Sequence, residues 1–139
     1  MKRLLACLLL LSLLILPACG GPSNKPGNVN DVTVEPVESV YFSQSEINAA
    51  IRVAKKYFHD EFNGCTLLTI RYVGDEQAEE MQEWAAEYGA DRVIILVSDF
   101  YVSKNGGDGS LNTDYTYTGW NWILSQTGSG GWVHRDHGY

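Results

Sequence analysis

The densest group of chemically capable side chains lies at the carboxyl end, where His134, Asp136 and His137 fall within four residues. Imidazoles and carboxylates are typical ligands of zinc and related ions, which demand donors that converge with defined geometry. In an extended strand successive side chains alternate, so His134 and Asp136 share one face and His137 points to the other. On that spacing the cluster reads as a polar chain end, and no metal or other cofactor is expected. Cys65 with His134 or His137 has the parts of a thiol–histidine nucleophile, which needs a depressed thiol pKa and a base within reach. Beside Gly64, a glycine suited to ending a helix, a lone cysteine reads instead as a small buried hydrophobe. Asp99 and Asp136, each with a tyrosine close by, are the acid–base candidates on an enzymatic reading. The loop Asn105–Ser110 lacks the ligand spacing and terminal glutamate of a calcium loop. No Walker loop, GxSxG elbow, HExxH or CxxC pair occurs. The sequence assigns no catalytic residue.

Aromatic side chains offer a second kind of chemistry. Trp120, Trp122 and Leu124 alternate onto one face of a strand, with Tyr115 and Tyr117 before them and Trp132 beyond. Flat aromatic surfaces stack on sugar rings and other small ligands, and ligand cavities are commonly lined in this way. Trp84, Tyr88, Trp120 and Trp122 are the candidate lining of such a cavity. The competing reading makes Trp120 and Trp122 core residues packed on Ile51 and Phe58, because aromatics dominate small cores.

The amino end carries a different signal. Lys2 and Arg3 precede an apolar run from Leu4 to Leu16, the layout of an export signal. That run is shorter than the roughly 20 apolar residues a membrane-spanning helix needs. Leu16-Pro17-Ala18-Cys19-Gly20 follows it. This segment resembles the lipobox of bacterial lipoproteins. The resemblance implies diacylglyceryl transfer to the Cys19 thiol, cleavage before it, and a mature chain held in the bilayer by acyl chains. Residues 1–18 are then a signal peptide, 19–41 the lipidated N-terminus and a flexible leader, and 42–139 a single domain.

The chain of 139 residues has 10 basic and 17 acidic side chains, a formal charge of −7. Loss of Lys2 and Arg3 with the signal takes this to about −9. Such a surface repels nucleic acid, which is excluded as a partner class. Cys7 leaves with the signal and Cys19 carries lipid, so Cys65 is the sole free thiol and no internal disulfide is available.

The leader, rich in Gly, Pro, Ser and Asn, shows little apolar periodicity and reads as flexible. Ser43 and Glu46 form a capping box that opens a helix over Ser43–Phe62. Ile47, Ile51, Ala54, Phe58 and Phe62 recur on one face of it. Thr66–Val73 reads as a strand, and Asp75 as the cap of a second helix with Met81, Trp84, Ala85 and Tyr88 on one face. Arg92–Val102, Tyr115–Gln126 and Trp132–Tyr139 read as three further strands joined in an antiparallel meander. The order predicts an α+β fold, a curved antiparallel sheet packed on a long N-terminal helix.

The stretch Tyr117-Thr118-Gly119-Trp120-Asn121-Trp122-Ile123-Leu124, with Gly130-Gly131-Trp132-Val133 and Asp136-His137-Gly138-Tyr139, carries a further resemblance. It is similar to small uncharacterised lipoproteins of Firmicutes that share a nuclear-transport-factor-2-like, or cystatin-like, C-terminal domain. The resemblance covers residues 40–139 and implies a cone-shaped fold, with no activity attached. The expected function is a lipid-anchored, extracytoplasmic module on a Gram-positive cell surface. It binds a small apolar or sugar-like ligand, or pairs with itself or another envelope protein. The alternatives are an enzyme of the same fold and a purely structural envelope protein.

Overall fold

The computed structural model describes residues 21–139. The signal segment and Cys19 lie outside the described residues. Within them the chain forms a five-stranded sheet and two α-helices. The elements in chain order are β1 (Thr33–Val34), α1 (Gln44–Glu61), β2 (Cys65–Tyr72), α2 (Ala78–Glu87), β3 (Arg92–Val102), β4 (Tyr115–Gln126) and β5 (Val133–Gly138). Spatial order follows chain order from β1 to β5, and the sheet does not close. No helix among the described residues is long and apolar enough to cross a membrane.

The expected α+β class holds, but the sheet is mixed. β1 runs parallel to β2, pairing Thr33 with Thr69 and Val34 with Ile70, while the other neighbours are antiparallel. β1 comes from the segment read as a flexible leader. That segment docks through its backbone: Asn28 N–H donates to Cys65 O, Leu67 N–H to Asn28 O, and Glu35 N–H to Ile70 O. Its weak apolar pattern concealed this, because much of the contact is made by main-chain groups that every residue carries, with only the scattered Val29, Val32 and Val37 packing on the core.

α1 begins where the capping box places it. Ser43 Oγ accepts from the Glu46 N–H, and a Glu46 carboxylate oxygen accepts from the Ser43 N–H at 2.8 Å. The helix start is also tied to the sheet. Arg92 meets Glu46 Oε1 at 2.6 Å and lies over the rings of Phe42 and Trp132. Trp132 Nε1 donates to Glu46 O at 3.1 Å. Ile47, Ala50, Ile51, Ala54 and Phe58 are buried on the sheet. Gly64 turns the chain into β2 at φ +69°, where a Cβ would come within 2.6 Å of Gly106 Cα.

α2 starts differently from the sequence expectation. A 3-10 turn, Asp75–Gln77, precedes it, and no side chain caps it. The Asp75 carboxylate is engaged elsewhere, accepting from Ser39 Oγ, the Val40 N–H and Tyr72 Oη at 2.5, 2.7 and 2.9 Å. These bonds hold its carboxyl below the usual range and fasten the approach to α1 against the end of β2.

Candidate functional site

β4 carries both tryptophans of the expected cavity, and the structure gives them different fates. Trp122 is fully buried, edge-on to Tyr57 and Phe58 of α1, and its indole N–H donates to Ser98 Oγ at 2.8 Å. It is core. Trp84 of α2 and Tyr88 at its end stack on each other at 5.6 Å. Trp84 shares its groove with Ile95 and Ile123. Ile123 neighbours Trp122 in the strand and so faces the opposite side of the sheet. The four expected lining residues therefore do not meet around one cavity. Strand alternation correctly groups Trp120 with Trp122, but it carries no information on how far α1 reaches across them.

Trp120 is the one of the four that stands on the α1 side while remaining partly exposed. It walls a groove of about 350 Å³ with Tyr57 and Glu61 of α1, Phe62 just after it, Asp108 and Leu111 of the β3–β4 loop, and His137 of β5. Phe62, Phe100 and Tyr117 meet the indole edge to face at 6.4, 5.4 and 5.6 Å, and Tyr139 lies at 5.3 Å. The Trp120 indole nitrogen is buried and finds no acceptor among the described residues. Buried donors are nearly always paired, and an unpaired one costs about 1–3 kcal/mol. The residues sequence reasoning missed here are Tyr57 and Glu61. They are four apart and so share a helix face, beside the apolar stripe rather than in it.

The carboxyl-terminal cluster also departs from simple alternation. The register of β5 on β4 slips between Ile123 and Leu124, which pair with Asp136 and His134 and leave Arg135 as the extra residue of a bulge. The slip restores His137 to the face of His134. Their rings meet, His137 Nδ1 lying 3.1 Å from His134 Nε2. Tyr57 stacks on His134 at 3.8 Å between centroids, and Trp122 and Phe62 each lie 5.4 Å from His137. Burial holds both imidazoles below their ordinary pKa of 6.5. For His134 the neighbouring His137 adds to that effect, and Asp136 opposes it for both. The expectation that His137 points away from His134 is thus corrected, and Asp136 is the residue displaced. Its carboxylate accepts from the His137 backbone N–H at 2.8 Å. Among the described residues no group of three His, Cys, Asp or Glu side chains converges as a metal site.

The remaining candidates do not join either site. Cys65 pairs with Val102 at the start of β2, whereas the β5 histidines sit three strands away, level with the other end of β2. Burial pushes its thiol up to about 11, which leaves it a protonated, unreactive side chain. Asp99 sits at the β3 bulge and accepts the Gly119 N–H at 3.0 Å, a structural bridge between β3 and β4. No family model, curated protein or solved structure matches the chain.

Proposed function

We propose that this chain is a bacterial lipoprotein, anchored through acylated Cys19 to the extracytoplasmic face of the membrane, whose domain binds a small sugar-like ligand. The anchor rests on the basic start, short apolar run and lipobox-like segment of the sequence. Two buried acyl chains suffice for stable attachment at about 0.8 kcal/mol per methylene. A half-open, cystatin-like cone is the architecture we assign to the domain, with the groove at its mouth.

The observation that carries the ligand reading is Trp120, partly exposed and walling a groove among other aromatic rings. About 350 Å³ falls within the range of small-molecule sites, roughly 300–1,000 Å³. A sugar presents an apolar ring face and a rim of hydroxyls. Tyr57, Phe62 and Trp120 offer surface for the face, and Glu61, Asp108 and Ser110 offer acceptors for the rim. A purely apolar ligand would leave those carboxylates beside it without compensation. No comparable support exists for the enzymatic reading, since Asp99 is held by a backbone N–H and Asp136 by its own neighbour.

Calorimetric titration of the full chain in detergent micelles tests this, using short N-acetylglucosamine and glucose oligomers as probes. At least one saccharide series is expected to bind, with affinity reduced at least about tenfold in Trp120→Ala, a loss of about 1.4 kcal/mol. Absence of binding by every oligomer, or binding indifferent to Trp120, overturns the ligand reading.

A further inference from the structure

We propose that His134 and His137 form a two-imidazole site for a divalent late transition-metal ion, copper(II) foremost. The proposal stands on the facing ring nitrogens and does not depend on the saccharide reading of the groove that His137 also lines.

The geometry is that of two adjacent ligands on one ion. An ion about 2.0–2.1 Å from each of two nitrogens 3.1 Å apart subtends about 100° between them. That angle lies between the square-planar and tetrahedral values. The arrangement is built rather than incidental. The Arg135 bulge brings two residues three apart to one face, and bulges commonly re-aim side chains in this way. Tyr57 stacks on one ring, and Trp122 and Phe62 pack beside the other, so both imidazoles are oriented before any ion arrives.

A hydrogen bond between the two rings uses the same separation, with one proton between the nitrogens. A metal ion taking that place requires the donor ring to carry its proton on its other nitrogen, so each imidazole binds as a neutral ligand. No third protein ligand joins the pair among the described residues, and Asp136 is turned to its own backbone. The remaining coordination positions therefore belong to water or to a second ligand, and the ion exchanges. With only imidazole donors, affinity follows the order that places copper(II) above nickel and zinc. The acidic surface raises the local concentration of cations at the site.

The test uses the full chain in detergent micelles with copper(II) chloride alone, read by calorimetry and pulsed electron paramagnetic resonance. The expected result is one copper per chain whose spectrum carries the couplings of two imidazole nitrogens. His134→Asn and His137→Asn each weaken binding by on the order of tenfold or more and reduce the pattern to one ring. His59→Gln changes neither. Should a variant misfold, the wild-type spectrum still decides, because it counts coordinated imidazoles directly. No copper uptake, a spectrum without two imidazoles, or one unchanged in both asparagine variants overturns the proposal.

Discussion

Trp122 and Ser98 meet across β3 and β4, the indole N–H donating to the hydroxyl at 2.8 Å with both residues out of contact with water. The serine is what allows the largest fully buried side chain of the domain to sit in an apolar layer with its polar atom satisfied. Ser98→Ala leaves that N–H without a partner and is expected to lower stability by about 1–3 kcal/mol. Thermal unfolding followed by circular dichroism checks this, with a drop of several degrees as the expected reading. An unchanged midpoint would show that the bond contributes nothing.

The Glu46 carboxylate gives the fold an acid-sensitive point. The Ser43 backbone N–H, the Arg92 guanidinium and the Ser43 hydroxyl together lower its pKa from 4.5 to about 2. A carboxyl whose pKa is lower folded than unfolded binds protons more readily in the unfolded chain. Its stabilising effect is complete above about 4.5 and is lost as pH falls from there toward about 2. Glu46→Gln is therefore expected to lower stability at pH 7 and to flatten the decline between pH 5 and 2. Urea midpoints across that range supply the measurement.

Cys65 is expected to be inert. Its thiol is buried and its pKa is raised to about 11. The mature protein taken from membranes should accept no maleimide at neutral pH while folded, and one equivalent per chain after denaturation. A second equivalent would mean that the Cys19 thiol is free.

These expectations differ in how directly the sequence disclosed their basis. The start of α1 was legible because its signals are local. Ser43, Glu46 and the apolar recurrence from Ile47 to Phe58 all lie within a few turns of one another. The β1 pairing was not, since Thr33 and Val34 join β2 through main-chain bonds across more than thirty residues. The histidine pair was missed for a third reason. Strict alternation separates His134 from His137, and the bulge that unites them depends on how β5 registers against β4. Trp120 and Trp122 were rightly placed on one face. Which of them is covered depends on the reach of Tyr57, Phe58 and Phe62 across the sheet.

Membrane attachment is expected to depend on one sulfur atom. In Cys19→Ser the protein should appear in the culture medium or persist as an uncleaved precursor, because acyl transfer precedes cleavage in lipoproteins of the kind the Cys19 segment resembles. Fractionation with immunoblotting reads this out. Normal processing with undiminished membrane retention would contradict the anchor.

The most direct test of the ligand-binding account is the side-chain indole spectrum of the four tryptophans, recorded by nitrogen–proton correlation while the binding saccharide is titrated. The Trp120 resonance is predicted to shift to saturation as a sugar ring packs on the exposed part of its indole, while the Trp122 resonance, buried and bonded to Ser98, holds still. A Trp120 signal that stays in place while the saccharide binds would put the ligand elsewhere and contradict the account.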